Sequence, residues 1–250
     1  MPKPLGLICQ IFVQPINFLV FFVLFTPVLL LFKLWKQIIR LLLKIQYGAS
    51  VEIMGPCDAI SAHKPAPSKE GLIHAVFHVR GPLSLAEIRR RVFENLVDAK
   101  DKDGVLKHPR LRRWIQSHWG LYCWRNVEKF DYDYHVDYYR DEATNKPHCY
   151  ETEEEQMHLV QKIINSDMFK RGVSPWQIFL VQKADQSEGI VVLRSHHCMF
   201  DGGAAFMVIL PAIADEVNAE DVFGNVKKGK FAAKGYKLLG MLCVPYLLSR

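Results

Sequence analysis

The chain has 250 residues, 50% of them hydrophobic and 23% charged, which allows one or two packed domains and excludes both a disordered tract and an all-membrane protein. Its formal net charge of +6 is unevenly placed: residues 1–46 and 227–250 hold only bases, leaving 21 bases against 26 acids between them. A mildly acidic middle with two basic, apolar ends points to an anionic membrane surface and away from nucleic acid.

Leu5 to Phe32 carries no charge, and Ile16–Phe32 is almost wholly apolar. A helix needs about 20 apolar residues to cross a bilayer, so this stretch is read as a membrane segment. It is too long for a signal peptide, and no small-residue cleavage site follows. Lys33, Lys36, Arg40 and Lys44 lie after it, against only Lys3 before it. That asymmetry places the main body in the cytosol. Pro15 and Pro27 favour a kinked span over a re-entrant hairpin. The bases of residues 33–46 recur on one helical face, with Leu34, Trp35, Ile38, Leu41, Leu42 and Ile45 on the rest. This predicts a second membrane element, a basic amphipathic helix in the headgroup layer, with a buried core helix as the alternative.

Gly48–Lys69 reads as a loop, and Leu72–Val79 alternates as a strand. His74 and His78 then stand roughly 13 Å apart, too far to share a metal ion, and no metal site is expected. Leu83–Ala99 reads as a helix, with Ser84 as N-cap and Glu87 completing a capping box. Asp101-Lys102-Asp103-Gly104 is a turn, since no later glutamate completes a calcium loop. Residues 114–139 are dense in aromatics, which suits an apolar ligand channel or packing between strands. Glu151–Asn165 is predicted helical, its acids complementing the helix N-terminus. The six cysteines show no zinc or disulfide spacing and are read as reduced thiols. The sequence contains neither a phosphate-binding glycine loop nor a G-x-S-x-G nucleophile turn.

Gly189–Ser195 is a short β-branched strand, followed by His196-His197, then Asp201-Gly202-Gly203 and a predicted helix through Ile213. Strand, polar turn and helix present a catalytic group on a rigid base. A neutral imidazole can take the proton of an alcohol. Asp201 can cap the helix or pair with a buried Arg, and Gly202 permits a tight turn. From composition alone the two histidines are as readily structural as catalytic. Cys198 as a nucleophile with His197 as base is a weaker alternative, because adjacent side chains diverge in extended chain.

The run His196-His197-Cys198-Met199-Phe200-Asp201-Gly202 matches H-H-x-x-x-D-G. In this it resembles the wax ester synthase and diacylglycerol acyltransferase family, within the chloramphenicol-acetyltransferase-like superfamily. Lys107-His108-Pro109-Arg110-Leu111, Asp133-Tyr134-His135-Val136 and Pro175-Trp176 with Leu180-Val181 resemble further family segments in the same order. The resemblance covers about residues 70–220. It implies an α/β fold with a mixed sheet and flanking helices, one of two similar subdomains with the histidine in a tunnel between them. It also implies that His197 is the general base and that His196 supports it. Asp201 and Gly202 support the turn. Acyl-CoA is then a co-substrate, no cofactor is bound, and the acceptor is a long-chain alcohol or diacylglycerol. Wax ester or triacylglycerol is the product, made at a membrane, with the endoplasmic reticulum preferred over the plasma membrane.

The expected domains are therefore a membrane anchor and amphipathic helix at 1–46 and an N-terminal acyltransferase subdomain at 47–220. Residues 221–250, where the family pattern stops, are a basic apolar tail or a shortened interdomain connection. The alternative reading is a truncated, inactive member of the same family that binds lipid or a partner.

Overall fold

The computed structural model describes residues 14–62, 71–167, 169–200, 209, 212 and 213. Backbone contacts divide the chain into two units, Met1–Ile53 and Met54–Arg250.

The first unit is dominated by helix α1, Gln14–Tyr47, 34 residues long. At 1.5 Å per residue it measures roughly 50 Å, more than the ~30 Å of a bilayer core. It is long and apolar enough to cross a membrane. Phe18, Phe21, Leu24, Leu29, Leu31 and Phe32 are all exposed, so the apolar surface wraps the rod instead of forming one stripe. The expected boundary between the span and a separate element at 33–46 is not seen. One unbroken helix carries both, running through Pro27. A turn at Gly48–Ser50 and strand β1, Val51–Ile53, complete the unit.

The second unit is built on a five-stranded mixed sheet. Its strands are β2 (Leu72–Arg80), β5 (Val136–Tyr138), β6 (Cys149–Tyr150), β7 (Trp176–Lys183) and β8 (Glu188–His196). The order is β2-β8-β7-β5, with β6 also on β7. β8 is antiparallel to both neighbours, while β5 and β6 run parallel to β7. The expected α/β class with a mixed sheet is therefore what the chain adopts. β8 is central and buried on both faces, which explains its continuous β-branched run. Leu193, Val191, Ile178 and Ala75 face a core that includes Ile88 and Val92 of helix α2 (Leu85–Val92). Val192, Ile190 and Val181 face Leu159, Val160 and Ile163 of helix α3 (Glu153–Asn165). Strands β3 (Arg113–His118) and β4 (Leu121–Asn126) form a hairpin. Its two-residue turn puts both Trp119 and Gly120 at positive φ, as a tight hairpin of this twist requires.

Local chemistry explains the helix ends. Ser84 caps α2 by accepting from the Glu87 N–H, but the reciprocal half of the expected capping box is missing. The Glu87 carboxylate instead takes Arg90 and Arg91, at 2.8 and 2.6 Å. The α-helix also stops at Val92 and continues as a wider turn through Phe93–Val97. The complete capping box belongs to α3, between Thr152 and Glu155. The Asp101–Gly104 segment is the expected turn, its Asp101 carboxylate accepting from the N–H groups of Asp103 and Val105. In the aromatic-rich stretch Trp124 is buried with Arg110 over its ring, and Tyr122, Phe130 and Tyr138 pack against the same core.

Gly189 shows how tightly β8 is held. A Cβ there would lie 2.5 Å from Leu83 Cδ1 and 3.0 Å from the Val181 carbonyl oxygen. Leu83 cannot move freely, because Gln182 accepts its N–H and Tyr138 donates to its carbonyl. Gly189→Ala is expected to cost about 1–3 kcal/mol by overpacking, read as a lower urea midpoint at unchanged m-value.

Candidate active site

The two histidines stand where β8 ends. His196 is the last strand residue and fully buried, whereas His197 opens the following turn and is exposed. Each backbone amide is tied to a different neighbouring segment. The His196 N–H donates to the Pro175 carbonyl at 2.9 Å, on the β7 side. The His197 N–H donates to the Gly71 carbonyl at 2.6 Å, on the β2 side. The dipeptide is thus pinned across the central strand by both of its neighbours. Gly71 itself has φ +85, and a Cβ there would come 3.5 Å from His196 Nε2. That contact is an ordinary one, so it is the positive φ that favours glycine here.

Below this point lies a buried aromatic stack. The His135 ring stacks on Phe130, at 4.4 Å, and on Trp176, at 4.3 Å, and those two rings are 6.3 Å apart. His135 Nδ1 donates to the Trp176 carbonyl at 2.7 Å, and the Trp176 indole N–H donates to the Leu111 carbonyl at 2.9 Å. A carbonyl can only accept, so the Nδ1 proton of His135 is assigned. The three segments singled out in sequence beside the histidine run therefore meet through main-chain carbonyls. Leu111, His135 and Trp176 hold one another, and Pro175, next to Trp176, holds His196. These contacts link the segments to the end of β8 through Pro175.

Burial holds His135 well below the ordinary imidazole range, to about 4, partly offset by its bond to the Trp176 carbonyl. His74 is likewise lowered to about 4, first by burial and then by the nearby Arg194. An unfolded chain protonates both near pH 6.5, so between there and about pH 4 the unfolded state binds more protons. This contribution to stability is fully present above pH ~6.5 and declines as pH falls toward 4. The urea midpoint should drop between about pH 7.5 and 4.5, with a shallower slope in His135→Phe; a flat profile in the native chain would refute it.

Cys198 does not meet His197. It is buried, with its Sγ 3.0 Å from Nδ1 of His196. Burial pushes its thiol far up, leaving a protonated S–H. A Cys198 nucleophile served by His197 is therefore not the arrangement present. Asp201 and Gly202 lie outside the described residues, as does most of the helix expected after them; Ile209, Ala212 and Ile213 are helical. His74 and His78 sit on one face of β2, as the strand reading placed them. Among the described residues no group of three His, Cys, Asp or Glu side chains is arranged to hold a metal ion. A groove of about 700 Å³ runs along α3 past His148, Glu154 and His158, and none of the described residues of the histidine run lines it.

Sequence reasoning missed Gly71 and Arg194. Arg194 is 1% exposed. It donates to the carbonyls of Ser166 and Asp167 and to the Gln177 side chain. A charged residue inside an otherwise apolar strand was its signal. Gly71 gave none, since only the register of β2 on β8 brings it to His197.

The family model described as the wax ester synthase/diacylglycerol acyltransferase catalytic domain matches residues 71–231, well over half of the chain. The chain belongs to this family. Among solved structures, the wax ester synthase/diacylglycerol acyltransferase from Marinobacter aquaeolei VT8 is similar at TM-score 0.42 and 12% identity, over 62% of this chain and 35% of that one. The tallysomycin biosynthesis protein TlmII is similar at TM-score 0.47 and 13% identity, covering 65% and 37% of the two chains. A starter condensation domain of the rhizomide synthetase RzmA, solved in complex with C8-CoA, gives 0.49 and 12%, covering 69% and 36%. A search of curated proteins gives no match. The chain spans just over a third of the length of these solved structures.

Proposed function

We propose that this chain is a membrane-associated O-acyltransferase that moves a fatty acyl group from acyl-CoA to a long-chain alcohol or diacylglycerol. The observation that carries the reading is the contrast at the end of β8: His197 is exposed while His196, Cys198, Met199 and Phe200 around it are buried. An exposed imidazole on a buried, doubly pinned strand end is rigid and reachable together, which a general base requires. His197 takes the proton of the acceptor hydroxyl as its oxygen attacks the thioester carbonyl carbon. The C–S bond then breaks, and the imidazolium returns the proton to the CoA thiolate. The ester and free CoA are the products, and no acyl-enzyme forms. His196 keeps the pair oriented, while Asp201 and Gly202 maintain the turn.

In this reading α1 is the membrane anchor, its bases after Phe32 keeping the main body cytosolic, at the endoplasmic reticulum in preference to the plasma membrane. Residues 1–46 are the anchor, 47–220 the acyltransferase subdomain and 221–250 a basic apolar tail or interdomain connection. The test is direct: the full chain in liposomes, given labelled acyl-CoA with hexadecanol or diacylglycerol, should form labelled neutral lipid. A folded chain that forms none would remove the catalytic reading and leave lipid or partner binding in its place.

A further inference from the structure

His196 lies beside the proposed base, yet its own chemistry is set by the residue two positions on. Two groups of Cys198 converge on one ring nitrogen. The Cys198 backbone N–H donates to His196 Nδ1 at 3.3 Å, and the thiol sulfur stands 3.0 Å from the same atom. An amide N–H only donates, so Nδ1 must present its lone pair, and the thiol must be the second donor. Both residues are buried, His196 at 0% and Cys198 at 3% exposure, so water does not compete for either bond. On the opposite edge of the ring Gly71 is close to Nε2. The tight turn that bonds the Met199 N–H to the His196 carbonyl at 2.9 Å folds Cys198 back over the ring.

We propose that Cys198 is a positioning residue: its thiol and backbone N–H hold His196 Nδ1 as an acceptor and fix the ring proton on Nε2. His196 is thereby kept a neutral hydrogen-bond donor, and proton removal from the acceptor falls to His197 alone. This rests on the acyl-transfer reading of the same site and adds a division of labour within the histidine pair. Had Nδ1 carried the proton, it would face two donors and the ring would turn away. A sulfur-to-imidazole contact is also what a nucleophilic cysteine needs. Here the thiol is enclosed and stays protonated, so neither a thioester nor an ordinary alkylating agent reaches it.

The tautomer can be read without turnover. Nitrogen NMR on the full chain in detergent micelles, labelled in histidine and assigned with His196→Gln, should show His196 neutral with its proton on Nε2. Cys198→Ala should mix the two tautomers, and Cys198→Ser, which restores an O–H donor, should recover the single form. In the liposome assay Cys198→Ala should lower kcat about five- to tenfold at unchanged KM, the equivalent of one hydrogen bond, with Ser restoring most of it. A proton on Nδ1 in the native chain, or a tautomer unchanged in Cys198→Ala, overturns the proposal. So does an acyl group found on Cys198 by mass spectrometry after exposure to acyl-CoA. A native chain with the Nε2 tautomer but no turnover upholds the positioning role and refutes the acyl-transfer reading.

Discussion

Replacing His197 by alanine should lower kcat/KM for acyl transfer by about 10²–10⁴, the usual worth of a general base. The change should appear in kcat, with KM for acyl-CoA nearly unchanged, because the lost interaction exists only as the proton moves. Folding should be untouched. His197 is exposed, and its anchor is a backbone N–H donated to Gly71, which any residue but proline keeps. His196→Ala is the instructive contrast. That side chain is fully buried and accepts from Cys198, so its loss should lower activity and stability together. Radiolabelled acyl-CoA turnover alongside urea unfolding separates the two. A loss of less than about tenfold in His197→Ala, with the protein folded, would rule out His197 as the base.

The largest stability effect is expected away from the histidine pair. Trp176→Ala should destabilise the second unit by about 3–5 kcal/mol, the range for deleting a buried aromatic. Trp176 is 1% exposed, stacks on His135, and donates its indole N–H to the Leu111 carbonyl. Its removal leaves a cavity beside His135 and a buried carbonyl without its donor. Trp176→Phe restores much of the apolar volume but not the N–H, so it should recover part of the loss. Activity should fall in both variants, since Pro175 next door holds the His196 amide. Urea unfolding of the full chain in detergent measures the effect, and a loss below about 1 kcal/mol in Trp176→Ala would contradict it.

Much of the fold was legible because its elements have strong local signatures. β2 is a β-rich run bounded by glycines, β8 carries an apolar run at 190–193 after a glycine, and α3 begins with a threonine and three glutamates. α1 was legible as apolar and long, but not as continuous. The charge change at Lys33 argued for a new element there, while the helix runs on through it. Glu87 was misread for a related reason. The spacing fits a capping box, but Arg90 and Arg91 present charged donors on the same face, and these outcompete a neutral amide.

Within the site, periodicity and the histidine run by themselves determined that a strand would end in His196-His197 and turn. The family resemblance named the chemistry those residues would serve. Only the tertiary structure decided which histidine is buried and which is open, and that Cys198 addresses His196 instead of His197. It alone showed that Leu111, His135 and Trp176, far apart in the chain, meet beneath the pair. The physical reason is that these links run through main-chain carbonyls brought together by tertiary packing. A backbone carbonyl looks the same at every residue, so sequence pattern does not reveal which one will receive a distant proton.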